Sequence, residues 1–88
     1  MIRRRLTVHG RVQGIGFRWF VARAAETRGV AGSARNLPDG AVEVVLEGEP
    51  EAVASLERLV REGPRGARVE RVEAADEQPD GLTGFATR

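Results

Sequence analysis

The 88-residue sequence has no cysteine, no lysine and no tyrosine, and one residue each of histidine, asparagine and tryptophan. Without cysteine there is no disulfide, no thiolate metal site and no cysteine nucleophile, a composition that fits a reducing cytoplasm. A lone His9 excludes a clustered-histidine centre, so no metal and no cofactor are expected. Without lysine, neither a Walker-type phosphate loop nor a Schiff base can form. No apolar run approaches the ~20 residues of a membrane span. The opening residues, Met1 to Val8, carry the charge of a signal peptide but not its apolar stretch, so they read as mature protein. No repeat, low-complexity stretch or linker interrupts the chain. Its length suits one domain spanning residues 1–88.

Charge is balanced overall and uneven along the chain. The formal net charge is +1, and every one of the 14 basic residues is arginine. Residues 1–36 hold eight arginines against Glu26 alone, a formal +7, whereas residues 37–88 hold six arginines against twelve acids, a formal −6. Two readings follow. Either the halves pack together and offset each other pairwise, or the N-terminal part carries an anion site.

The apolar pattern sets the elements. Arg5 to His9 alternates as a half-buried strand does. Gly10 to Gly16 is a glycine-spaced loop. Phe17, Phe20, Val21, Ala24, Ala25 and Arg28 recur at helical spacing, and Gly29 is placed for a left-handed cap. Val30 to Leu37 reads as a weak strand. Leu37-Pro38-Asp39-Gly40 is a turn, and Val42, Val44 and Leu46 alternate with Glu43 and Glu47 to complete a hairpin. Pro50 suits a first helical position, with Glu49 and Glu51 at the positive end of the dipole. Val53, Leu56, Leu59 and Val60 form the apolar stripe, Glu57 and Arg61 pair one turn apart, and Gly63-Pro64 stops the helix. Ala67 to Ala75 is a strand whose apolar parity shifts between Val69 and Val72, which predicts a bulge. Gly81 to Gly84 is a loop, and Phe85 anchors a short last strand. The order βαββαβ, with that extra C-terminal strand, predicts an α+β, ferredoxin-like two-layer sandwich. Two helices cover one face of a mainly antiparallel sheet.

The loop carries the chemistry. In Gly10-Arg11-Val12-Gln13-Gly14-Ile15-Gly16-Phe17-Arg18, backbone N–H groups unshielded at Gly14 and Gly16 can converge on one anion beside a helix start. Arg18, in the first helical turn, can reach back with a planar fork that binds two oxygens. Trp19 breaks the Gly-x-Gly-x-x-Gly spacing, so a dinucleotide site is excluded. On these grounds alone, an anion cradle and an ordinary glycine-rich turn both remain open. Asn36 shares the parity of Val30, Gly32 and Ala34. Its amide either satisfies local backbone or, pointing inward, holds a water molecule.

The Gly10–Arg18 block, with Gly32-Ser33-Ala34-Arg35-Asn36 and Asp39-Gly40-Ala41-Val42-Glu43, closely resembles the acylphosphatase family from Leu6 to the C-terminus. The resemblance implies a ferredoxin-like fold and metal-free hydrolysis of carboxyl–phosphate bonds. It matches Arg18 to the family's phosphate-binding arginine and Asn36 to its water-orienting asparagine. Residues Arg11, Val12, Gln13, Gly14, Ile15, Gly16 and Phe17 would supply the phosphate-binding backbone. Two departures stand out: Ile15 for the commoner Val, and Ser33-Ala34 where many members carry Trp-Val.

If the anion is a phosphoryl group, the residue inventory narrows the reaction. There is no cysteine to form a phosphoenzyme, and Ser33 and Ser55 have no apparent base. Direct attack by a positioned water remains, and it suits a leaving group that departs unprotonated. A carboxylate, with a pKa near ~4, does so at neutral pH.

The remaining residues receive plainer expectations. Gln13 is expected to be solvated, with donation to the anion as the alternative. Trp19 is expected to pack on arginine stems or rim the pocket, and His9 to be structural. Arg3, Arg4, Arg5 and Arg11 are expected on a solvated face that can steer anions. An RNA-binding module is disfavoured because residues 5–9 and 41–47 contain no aromatic side chain. A module that binds acyl or carbamoyl phosphate without turnover is the other rival; related domains occur within larger carbamoyl-transfer enzymes, for which 88 residues leave no room. The expected partners are small acyl phosphates and inorganic phosphate, with no nucleic acid and no membrane, and a monomer is expected.

Overall fold

Alternating apolar residues and two single-faced helices produce one shared core. A computed structural model describes residues 1–88. Its elements are β1 (Ile2–Arg11), α1 (Phe17–Arg28), β2 (Ala31–Asn36), β3 (Val42–Gly48), α2 (Pro50–Glu62), β4 (Arg68–Glu77) and β5 (Phe85–Thr87). The five-stranded sheet has the order β4-β1-β3-β2-β5. Every pairing is antiparallel except β2 with β5, which is parallel. Leu6 and Val8 of β1, Ala34 of β2, and Val42, Val44 and Leu46 of β3 meet both helices in one buried cluster. α1 contributes Phe17, Val21, Ala24 and Ala25, and α2 contributes Val53, Leu56 and Val60. The ferredoxin-like sandwich with both helices on one face is therefore the architecture found. No helix is long and apolar enough to cross a membrane.

Local signals act where expected. Gly29 caps α1 at φ +66°, and Pro50 opens α2. The register skips Glu70 as Gly10 pairs with Val69 and His9 with Arg71, so the bulge is real. Gly10 cannot be replaced there, because an added Cβ would lie 2.0 Å from the Arg68 carbonyl oxygen.

β1 begins earlier than the apolar pattern suggests, and the reason is charge. Arg3 reaches Glu77 at 2.9 Å and Glu47 at 3.2 Å. Arg5 reaches Glu77 at 2.6 Å and Glu43 at 2.9 Å. Arg4, on the helix side, forks onto Glu57 of α2 at 2.9 and 3.0 Å. Arg3, Arg4 and Arg5 are thus not a solvated, steering face; each is tied to carboxylates of the C-terminal half. Arg35 adds a further pair with Glu43. The pairwise offset of the two halves holds for these residues, while Arg11, Arg18, Arg23 and Arg28 pair with no acidic side chain.

β4 and β5 lie at opposite edges, so the chain between them must cross the sheet face that the helices leave open. Glu47 of β3 fastens that crossing. Its carboxylate, 2% exposed, accepts backbone N–H bonds from Asp80 (2.9 Å), Gly81 (2.7 Å) and Leu82 (3.0 Å). Those amides, with Arg3, hold the Glu47 carboxyl below the usual carboxylate range. Arg5 and Arg3 also hold the Glu77 carboxyl down, at about 2. A carboxylate with a depressed folded-state pKa stabilises the fold above its unfolded value, about 4.3, and that contribution disappears as pH falls through the folded value. Tm should therefore be flat at neutral pH and drop between pH ~4 and ~2. Glu47→Gln should melt below wild type at pH 7, and the gap should narrow at pH 2. Calorimetry across pH checks both, and a gap that stays constant down to pH 2 would remove Glu47 from the acid transition.

Candidate active site

The loop between β1 and α1 is pinned from beneath and open above. Val12 and Phe17 are buried in the core, and Ile15 packs against it. Between these anchors, Gly14 (φ +76°) and Gly16 (φ +80°) adopt left-handed conformations, with open space where a Cβ would stand. Glycine is needed there for its backbone angle, not for lack of room. The backbone N–H groups of Val12, Gln13, Gly14, Ile15 and Gly16 donate to no protein acceptor. The first turn of α1 adds its own unsatisfied N–H groups at the positive end of the helix dipole.

A cavity of ≈ 210 Å³ lies against this loop. Val12, Gly14, Gly16 and Phe17 form its loop side, and Arg18 and Trp19 its helix side. Asn36, at the end of β2, and Thr87 of β5 close it. Arg18 pairs with no acidic side chain; its Nη1 donates to the main-chain oxygen of Arg88. The Arg88 N–H in turn donates to the Ala34 carbonyl at 2.8 Å, so the end of the chain and β2 support the guanidinium.

Asn36 pairs with Val42, which pairs with Val8, so the three side chains share one row on the helix-facing side. The inward direction expected from parity is the one found. Its Oδ1 is buried and accepts no hydrogen bond from the protein. An unsatisfied buried acceptor costs about 1–3 kcal/mol, so this oxygen lacks the local partner that a purely structural asparagine would have.

Gln13 is not solvated. Its Nε2 donates to the carbonyls of Leu37 (2.8 Å) and Ala41 (2.9 Å), both in the β2–β3 turn that follows Asn36. The side chain thus braces the loop against the strand end that carries Asn36. His9 bonds Glu73 at 2.7 Å, away from the cavity. No group of three or more His, Cys, Asp or Glu side chains is placed to hold a metal ion.

The arrangement sets free amides, a guanidinium paired with no acidic side chain and the Asn36 side chain around one small cavity. Such a set suits a compact oxyanion. The family model that matches the sequence is Acylphosphatase, over residues 4–87. The chain belongs to the acylphosphatase family. An acylphosphatase of Thermococcus kodakarensis is 54% identical over 84 residues, covering 96% of this chain and 92% of that protein. One of Thermus thermophilus is 50% identical over 78 residues, covering 89% of each. The crystal structure of acylphosphatase from Bacillus subtilis superposes with a TM-score of 0.96 at 35% identity, covering 100% of this chain and 99% of that one. Membership of this family makes the chain a hydrolase.

Sequence reasoning brought Arg18, Asn36 and the loop to one cavity but missed two supports, Gln13 and Glu47. A glutamine in a glycine loop looks solvated unless the position of the facing turn is known. Glu47 follows the outward parity of Glu43. Only the need of the β4–β5 crossing for a backbone acceptor could have singled it out.

Proposed function

We propose that the protein hydrolyses small acyl phosphates to a carboxylate and inorganic phosphate by direct attack of a positioned water, without metal or covalent intermediate. Loop amides from Arg11 to Phe17 and the Arg18 guanidinium hold the phosphoryl oxygens. Asn36 orients the water through its side-chain amide. The water oxygen forms a bond to phosphorus as the bond from phosphorus to the acyl oxygen breaks. The carboxylate leaves with the electron pair, and a phosphoryl oxygen takes the water's proton. Catalysis is then positioning plus stabilisation of displaced charge. Residues 1–88 act as one such domain, as a monomer in the cytoplasm, with no nucleic-acid or membrane partner.

The observation that carries this reading is that Arg18 and Asn36 line the same cavity as loop amides that donate to no protein acceptor. Family membership supplies the substrate class. The test is phosphate release from acetyl and benzoyl phosphate in excess chelator. Turnover equal to that without chelator is expected. A protein that binds either compound without releasing phosphate would be a carrier, and loss of activity in chelator would bring back a metal.

A further inference from the structure

The reading above assigns the loop amides and Arg18 to the phosphoryl group and Asn36 to water, and it leaves the acyl group without a partner. Among the cavity's remaining side chains, Val12 and Phe17 are buried in the core. That leaves Trp19 and Thr87, of which only Trp19 presents a large apolar face. We propose that Trp19 forms an acyl-group subsite that favours flat, aromatic acyl groups. This inference rests on the acyl phosphate reading.

Trp19 is 64% exposed, whereas Phe17 is buried and Phe20 and Phe85 are packed against the core. An indole left open at the wall of a polar cavity contributes little to the fold. Its orientation is nevertheless set. The Arg23 guanidinium, one helical turn on, lies 5.0 Å from the ring centroid and makes no ion pair that would draw it away. Stacking of this kind holds a ring at modest cost.

The ring also stands between two depressions. One is the cavity, and the other is a shallow groove lined by Phe20, Arg23 and Thr27. Arg23 lines the groove and covers one face of the ring, and the proposal assigns the uncovered face to the cavity. The acyl carbon of a bound substrate is two bonds from phosphorus, and the proposal sets its substituent against this wall. An acetyl group ends at its methyl and covers little of the ring. A benzoyl group extends far enough to lie offset against it, the geometry aromatic pairs prefer.

The test compares kcat/KM for benzoyl phosphate with that for acetyl phosphate in wild type, Trp19→Ala and Trp19→Phe. Intrinsic reactivity cancels when the ratio is compared between proteins. The benzoyl-to-acetyl ratio should fall roughly three- to tenfold in Trp19→Ala and be largely kept in Trp19→Phe. Trp19 is the sole tryptophan, so it also reports directly. Benzoate added to wild type saturated with orthophosphate should change its emission, and acetate should not. An unchanged ratio, or equal responses to benzoate and acetate, would overturn the subsite. Those results leave hydrolysis itself intact, whereas a wild type inactive on both substrates would overturn the reading beneath it.

Discussion

Arg18→Ala is expected to abolish both phosphate binding and turnover. The guanidinium pairs with no acidic side chain in the fold, so no side-chain carboxylate competes with a bound anion for it. Losing one donor to a developing oxyanion typically costs about 10²–10³ in rate. Arg18 can supply two donors and a full charge, so kcat/KM should fall by at least ~10³. Competitive inhibition by orthophosphate should disappear with it. Stability should barely change, since the only hydrogen bond lost is the one to the Arg88 main-chain oxygen. Arg18→Lys keeps the charge without the planar fork and should fall between the two. Steady-state kinetics with orthophosphate as inhibitor decides the matter. An alanine variant within tenfold of wild type would falsify the assignment.

Asn36→Ala should separate binding from chemistry. Orthophosphate inhibition should stay within about threefold of wild type while kcat falls by about 10²–10³. Its thermal behaviour distinguishes a working residue from a structural one. Asn36 Oδ1 is buried without a donor, so alanine removes an unsatisfied acceptor rather than a hydrogen bond. Deleting such a group is close to neutral or stabilising. A Tm equal to or above wild type, with kcat lost, is the expected pair of results. A lowered Tm with kcat retained would assign Asn36 to the fold alone.

Most of the fold was legible because short-range signals agreed with one another. The strand alternation at Leu6 and Val8, the stripe of α2, Gly29 and the Pro38-Asp39-Gly40 turn each act locally and point to the same layers. The arginine run at 3–5 was harder to read, because its partners Glu43, Glu47, Glu57 and Glu77 are distant in sequence. The charge imbalance between the halves held that information, but without the register it could not say which residues meet. At the site, parity alone placed the Asn36 side chain on the helix-facing side. Nothing local could show that Gln13 spans to Leu37 and Ala41, since that contact exists only once the hairpin has docked beside the loop.

The crossing from β4 to β5 has a consequence for the order of assembly. Its acceptor, Glu47, is a landing point only once β3 is in place, and the three-residue β5 has no partner until β2 offers it an edge. A chain that has built everything up to Glu77 already has its glycine loop and its asparagine in place. It still lacks the strand end that restrains Arg18. If Arg18 and Asn36 act as proposed, catalytic competence waits for β5 to dock and does not follow from core collapse alone.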